Sequence, residues 1–102
     1  MSVIIVNKDN FNEIINNNKK VILDLYATWC NPCKALSPIL EEISNNYPDI
    51  VFGKIDIDEN PGLANFFGVE SIPYVVKIED KKYVDSFLGL RNSEFIERFV
   101  EK

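Results

Sequence analysis

The segment around which the chain is organised reads Trp29-Cys30-Asn31-Pro32-Cys33, and it contains both cysteines of the protein. An apolar run at residues 21–27 precedes it, and a helical pattern of apolar residues follows at 34–47. The two cysteines are therefore predicted to lie where a buried strand passes into a helix. A Cys-x-x-Cys pair at such a junction indicates redox chemistry.

Composition narrows the class of protein. The chain has 102 residues, 46% hydrophobic and 26% charged, which predicts one globular domain over residues 1–102. Its net charge of −5 and the lack of a basic cluster argue against nucleic acid as a partner. The absence of histidine removes imidazole from any metal site, catalytic triad or proton relay.

The amino-terminal sequence bears on localisation. The apolar run at residues 3–6 has no basic segment before it and is too short for a signal peptide. No apolar stretch approaches the roughly 20 residues that span a bilayer. We therefore expect a cytoplasmic protein without a membrane partner, in a compartment where paired cysteines are more often catalytic than structural.

The periodicity of apolar residues predicts the element order β-α-β-α-β-α-β-β-α. Strand–helix alternation favours parallel pairing, and the closing hairpin adds antiparallel strands. The expected fold class is thus α/β, a mixed five-stranded sheet with helices on both faces. The predicted strands cover residues 3–6, 21–27, 51–57, 75–78 and 83–88.

Local signals predict how the helices begin. Asn10 and Glu13 fit a capping box, Asn60 and Pro61 fit a cap and first helical position, and Asn92 fits a third cap. Inside the helix after the cysteines, Pro38 is expected to cause a kink rather than a stop. The turn of the closing hairpin, at residues 79–82, has no glycine or asparagine, so its type is open.

The position of the first cysteine suggests a mechanism. Cys30 falls at the amino end of a helix, where free amides and the helix dipole favour the thiolate. Cys33, one turn on, is in reach to resolve a mixed disulfide and close a Cys30–Cys33 bridge. Pro32 has no amide proton and should stiffen the loop.

Two other interpretations of the cysteines compete with the redox one. The pair could be half of a zinc site, but the chain has no further cysteine or histidine to complete it, so such a site would have to be intermolecular. Both cysteines could also be inert core residues, for which Asn31 and Pro32 are poor neighbours. The redox interpretation is favoured.

Four more residues have a functional and a plain interpretation. Asp24 is either a solvated carboxylate at a strand edge or a buried one, whose raised pKa would let it take a proton from Cys33. Lys54 is either its partner or an ordinary surface lysine. Pro73 marks a strand start or a special bond, and Trp29 is either a core residue or part of a substrate-contact surface.

Together these motifs resemble the thioredoxin family over nearly the whole chain. The matching parts are residues 24–34, Pro38, residues 54–61, Ile72-Pro73 and Gly89. The resemblance implies the thioredoxin fold, with Cys30 as nucleophile, Cys33 as resolving thiol, Asp24 as buried proton acceptor and Lys54 tuning it. Pro73 would be cis.

The resemblance also implies a function and a contact surface. The protein would reduce disulfides of client proteins, be recharged by a thioredoxin reductase, act as a monomer in electron transport and redox homeostasis, and need no cofactor beyond its reversible disulfide. The backbone of Ile72 would pair with an extended client segment. The residues expected to contact substrate are Trp29, Asn31, Pro32, Ile72, Pro73, Tyr74 and Gly89.

Some positions depart from the family pattern. Asn31 replaces the usual glycine, Tyr26 a frequent tryptophan, and Tyr74 the usual threonine after the cis-proline. Asn31 bears on the reduction potential and Tyr74 on substrate choice. The alternatives to a reductase are an isomerase or oxidase with the same chemistry, and a binding module without turnover.

Overall fold

The computed structural model describes residues 3–102, so Met1 and Ser2 of the predicted domain lie outside the described residues. The order of elements is the predicted one. Their bounds are β1 Val3–Ile5, α1 Phe11–Asn17, β2 Lys20–Tyr26, α2 Asn31–Ser44, β3 Val51–Asp56, α3 Pro61–Phe66, β4 Tyr74–Glu79, β5 Lys82–Leu88 and α4 Ser93–Glu101.

The five strands form one sheet in the order β1-β3-β2-β4-β5. β2 pairs in parallel with β3 and antiparallel with β4, so the sheet is mixed, as predicted. β2 is the central strand, and residues 21–25 are all buried. A strand covered on both faces needs apolar side chains at successive positions, which explains the run that leads to the cysteines.

The two faces of the sheet carry separate apolar clusters. Alternation along β2 sends Ile22 to one face and Leu23 to the other. Helices α2 and α4 pack on the Ile22 face, whereas α1 and α3 cover the opposite face. The same alternation places Asp24 on the face covered by α2, the helix that carries Cys33.

The capping box predicted at Asn10 is wrong. Asn10 has a helical backbone conformation and its side chain caps no helix amide. Instead, the Asn7 side-chain oxygen accepts from the amides of Asp9, at 2.8 Å, and Asn10, at 3.1 Å, and the Phe11 amide donates to the Asn7 carbonyl. Helical bonding thus begins one turn earlier than predicted, with Asn7 taking the capping role.

The other two predicted caps have different outcomes. Asn60 precedes α3, with Pro61 at its first position, but its side chain makes no cap hydrogen bond. That side chain accepts from the amide of Lys8 and donates to the carbonyl of Asp56, so it joins the chain after β1 to the end of β3. Asn92 is a true cap, because its side chain accepts from the Phe95 amide at 2.9 Å.

The closing hairpin turns through Asp80 and Lys81, which have φ of 51° and 70°. Positive φ at both central residues is the requirement of a type I′ turn, the two-residue turn whose twist suits a hairpin. A turn of this type forms here without the glycine or asparagine that usually favours it.

Helix α2 continues through Pro38, so the proline does not stop it.

A buried lysine on β4 was not anticipated from the sequence. Lys77 is only 3% exposed, and its ammonium group donates to the carbonyls of Phe99, at 2.8 Å, and Lys102, at 3.0 Å. It therefore ties the carboxyl end of α4 to the sheet, because the last carbonyls of a helix have no donor within the helix.

None of the helices in residues 3–102 has both the length and the apolarity of a membrane-spanning segment.

Candidate redox site

Cys30 and Cys33 lie at the amino end of α2 and are joined by a disulfide. Cys30 occupies the cap position with an extended backbone, and its sulfur accepts from the Cys33 amide at 3.3 Å. The Cα atoms are 5.3 Å apart. The Cys30 sulfur therefore receives the kind of amide contact that stabilises a thiolate at a helix N-terminus.

The loop before β4 lies opposite the cysteines. The carbonyl oxygen of Ile72 is 3.9 Å from the Cys30 sulfur, and Ile72 packs against the small cluster formed by Ala27 and the two cysteines. The Ile72–Pro73 peptide bond is cis. The Pro73 carbonyl accepts from the amide of Gly89, which has a φ of +86°, a conformation that glycine adopts without strain. The structure thus brings three separated segments, 30–33, 72–73 and 89, to one end of the sheet.

Asp24 lies on the central strand and is only 4% exposed. Its Oδ1 has no hydrogen-bond partner within the described residues. Burial raises the pKa of the Asp24 carboxyl from 3.8 to about 7, and the positive charge of Lys54 acts in the opposite direction. The solvated strand-edge interpretation of Asp24 is therefore wrong, because the strand is central and covered.

Lys54 is the register neighbour of Asp24 on β3. Its ammonium group lies over the ring of Tyr26, 5.5 Å from the ring centroid. A cation in this position is held by the aromatic face while its charge acts on the buried carboxyl. The Tyr26 hydroxyl has a raised pKa, mainly from burial and then from nearby carboxylates.

A cavity of about 250 Å³ lies between β2, β3 and the first turns of α2. Asp24 and Cys33 both line it, as do Lys54, Thr28 and Ser37. The carboxyl group and the second cysteine therefore line one cavity. Residues 3–102 hold no group of three or more His, Cys, Asp or Glu side chains placed for a metal ion.

The remaining predicted site residues lie around the cysteines in different ways. Trp29 is 66% exposed, and its indole nitrogen donates to the Asp58 carboxylate at 2.8 Å. Asn31 and Pro32 are exposed at the start of α2. Tyr74 follows Pro73, but its hydroxyl bonds to Tyr83 and Ser86 on β5 rather than to a group near Cys30.

Three residues at this site were not singled out from the sequence. Asp58 holds the Trp29 indole, and Thr28 and Ser37 line the cavity. Ser37 had a detectable signal, because it follows Cys33 by four positions and such residues share a helix face. Asp58 had none, since its contact with Trp29 depends on how the loop after β3 folds back.

Comparison with known proteins identifies the chain. The family model described as Thioredoxin matches residues 2–102. The chain belongs to the thioredoxin family. The Chlamydia caviae thioredoxin is 36% identical over 98 residues, covering 96% of this chain and 95% of that protein. The Staphylococcus haemolyticus thioredoxin is 38% identical over 105 residues, covering 100% and 98%.

Solved structures of thioredoxins are similar to this chain in both sequence and fold. A mutant thioredoxin from Halobacterium salinarum is 31% identical with a TM-score of 0.92, covering 98% of this chain and 88% of that one. Plasmodium falciparum thioredoxin is 35% identical with a TM-score of 0.89, covering 95% of each chain. This thioredoxin therefore has the predicted fold.

Membership and geometry together establish the activity. This thioredoxin carries its two cysteines as a disulfide at the start of α2, the arrangement that exchanges with other disulfides. It is a thiol–disulfide oxidoreductase that acts as a protein-disulfide reductase. Its substrates are disulfides of other proteins, as the family implies.

Proposed function

We propose that Cys30 is the attacking thiol and Cys33 the resolving thiol of this reductase. The observation that carries the assignment is the contact of the Cys30 sulfur with the Cys33 amide at the helix N-terminus. The Cys30 thiolate attacks a client disulfide and releases one client thiolate. Cys33 then attacks Cys30 and releases the second client thiolate, so two electrons pass from the dithiol to the client.

We propose further that Asp24 accepts the proton of Cys33 and that Lys54 tunes it. Two features support this assignment: the carboxyl and Cys33 line one cavity, and the carboxyl pKa is about 7. A base of that pKa is ionised in part of the molecules at neutral pH and can still be protonated by a thiol. Lys54 favours the ionised carboxylate by its charge.

Clients are proposed to bind over Cys30, along the loop at Ile72 and Pro73. The Ile72 carbonyl lies beside the Cys30 sulfur, where an extended client segment could pair with the backbone. Trp29, Asn31 and Pro32 would flank the client on one side and Gly89 on the other. Tyr74 would act through its backbone, because its hydroxyl is bonded to β5.

The proposed setting is that of an electron carrier. A thioredoxin reductase would recharge the disulfide, and the carrier would serve electron transport and cell redox homeostasis in the cytoplasm. We propose that it works as a monomer and a single domain, without a metal or organic cofactor. The net charge of −5 supports the exclusion of nucleic acid as a partner.

Insulin reduction tests the catalytic assignment. With dithiothreitol as electron source, the wild-type protein should accelerate reduction and Cys30→Ser should not. Ser93→Ala, at the start of α4, is the matched control for handling and should behave as wild type. Equal rates for wild type and Cys30→Ser would overturn the assignment of Cys30 and favour the binding-module alternative.

Trapping tests the resolving role. Cys33→Ser should accumulate mixed disulfides between Cys30 and clients, visible as bands that dithiothreitol removes, because no second thiol releases the client. The double variant Cys30→Ser, Cys33→Ser should show none. Failure of Cys33→Ser to retain a client from oxidised lysate would exclude Cys33 as the resolving thiol.

The reduction potential separates a reductase from an isomerase or oxidase. Equilibration with glutathione should give a value near that of thioredoxins, about −270 mV, rather than the roughly −180 to −120 mV of isomerases and oxidases. Asn31→Gly restores the residue usual in the family and measures how far Asn31 moves the potential. A wild-type value above about −200 mV would favour the isomerase or oxidase alternative.

A further inference from the structure

The two serines of α2 use their hydroxyl groups differently. The Ser44 hydroxyl donates to the Glu41 carbonyl at 2.7 Å, the usual backbone bond of a serine within a helix. The Ser37 hydroxyl makes no hydrogen bond to any group of residues 3–102, and Ser37 lines the cavity that contains Asp24 and Cys33. Its hydroxyl is therefore available to a molecule in that cavity.

The cavity has room for water, and polar residues stand within its mostly apolar lining. Its volume of about 250 Å³ exceeds that of several water molecules, each of which occupies roughly 30 Å³ in the liquid. Asp24 Oδ1 is buried and has no partner within the described residues, although such atoms are nearly always bonded. A water held by Asp24 and Ser37 would satisfy both groups.

We propose that Ser37 is a positioning residue of the reductase reaction, holding a water molecule that carries the proton from Cys33 to Asp24. The inference rests on the proposed role of Asp24 as proton acceptor. Oδ1 of Asp24 makes no hydrogen bond to Cys33 in this disulfide form, and a water between the two groups would connect them. Ser37, one turn after Cys33 on the same helix, is placed to orient it.

In the proposed step, the Cys33 thiol gives its proton to the water, and the water gives one of its own to the Asp24 carboxylate. The Cys33 thiolate attacks the Cys30 sulfur, so the bond between Cys30 and the client breaks and the Cys30–Cys33 bond forms. The client sulfur leaves as a thiolate, and Asp24 later returns its proton to solvent.

Other titratable groups face Asp24 and must be considered in any pH profile. Lys54 lines the cavity from β3, Tyr26 from β2, and Lys34 and Cys33 from α2, while β4 places the apolar Val75 beside Asp24. Of these, Lys54 lowers the Asp24 pKa. Serine has no charge in the working range, so replacing it changes hydrogen bonding without removing a titratable group.

Stopped-flow reaction with Ellman's reagent separates the two chemical steps. The reduced protein releases a first thionitrobenzoate when Cys30 attacks, and a second, in a concentration-independent phase, when Cys33 resolves. Ser37→Ala should slow the second phase roughly three- to tenfold near neutral pH, the effect of losing about one hydrogen bond. The first phase should be unchanged, and the deficit should shrink as the pH rises, because hydroxide then competes with the bound water for the Cys33 proton.

Two further variants make the test specific. Ser44→Ala, the same change on the same helix away from the cavity, should leave both phases at wild-type rates. On an Asp24→Asn background, Ser37→Ala should have no additional effect, because the acceptor is already gone. Alanine is the better helix former, so loss of fold is not expected in Ser37→Ala, and circular dichroism checks it.

The possible failures can be told apart. A wild-type second phase in Ser37→Ala, an equal slowing at every pH, or an additive effect on the Asp24→Asn background would overturn the role of Ser37 while leaving Asp24 as acceptor. An unchanged second phase in Asp24→Asn alone would overturn the proposed acceptor, and the role of Ser37 with it.

Discussion

Replacing Asp24 with asparagine removes a carboxyl group that is buried in the central strand and keeps the side chain nearly the same shape. Asp24 is 4% exposed and its pKa is raised from 3.8 to about 7. The structure therefore stabilises the protonated form relative to the unfolded chain. A pKa that differs between the folded and unfolded states makes stability depend on pH.

The direction in which stability changes with pH follows from which state, folded or unfolded, holds the Asp24 proton. Below pH 3.8 the carboxyl is protonated in both states and contributes nothing to the pH dependence. Between pH 3.8 and about 7 the folded state keeps the proton that the unfolded state loses, so stability falls as pH rises. At about 1.4 kcal/mol per pH unit, the ionised carboxylate destabilises the fold by about 4 kcal/mol above pH 7.

Urea denaturation of the oxidised protein, followed by circular dichroism from pH 4 to 9, measures this effect. Asp24→Asn should match wild type at pH 4 and exceed its free energy of unfolding by about 4 kcal/mol at pH 8. With a slope of about 2 kcal/mol/M, the urea midpoint should rise by about 2 M. Asp9→Asn, on an exposed side chain, should show no such trend. A difference between wild type and Asp24→Asn that does not change with pH would refute the reasoning.

Three other changes test the packing of the fold, with urea denaturation and insulin reduction as the measurements. Lys77→Met leaves two carbonyls at the end of α4 without their charged donor and should cost about 1–3 kcal/mol at unchanged reductase activity; an unchanged midpoint would show that the contacts contribute nothing. Gly53→Ala places a methyl group 2.5 Å from one of Val6, so about 1–3 kcal/mol of destabilisation is expected, and a neutral result would mean that the sheet yields there. Lys81→Gly relieves a positive φ of 70° and should stabilise by about 1 kcal/mol, and a lower urea midpoint would show that the added freedom of the unfolded chain is the larger effect.

The elements that sequence could predict are those with strong local patterns. The apolar run of β2 required a strand covered on both faces. The alternation of strands and helices favoured the parallel pairing that β3 makes with β1 and β2, and the closing hairpin the antiparallel pairing of β4 and β5. The side-chain bonds of Asn10 and Asn60 were not predictable in the same way. Both residues are common caps, but here each is drawn into a bond with a segment outside its helix, and that competition depends on the folded chain.

The site likewise has features that the local sequence predicts and features that depend on the folded chain. The cysteines, Asp24 and the Ile72–Pro73 loop can be recognised by residue type and spacing. The burial of Lys77 and the contact between Trp29 and Asp58 depend on which side chains meet after the sheet and helices pack. Phe95 illustrates the limit of helical periodicity. It precedes the buried Phe99 by one helical turn, yet it is 40% exposed, although its ring contacts Phe87.

Trp29 gives this thioredoxin a built-in optical probe. It is the sole tryptophan of the chain, it is 66% exposed, and it directly precedes Cys30. Its emission therefore comes from one place, next to the disulfide, with no other indole to dilute it. Closing the disulfide or covering the indole with a client changes the surroundings of that single fluorophore. The redox state and client affinity can both be followed on the unlabelled protein.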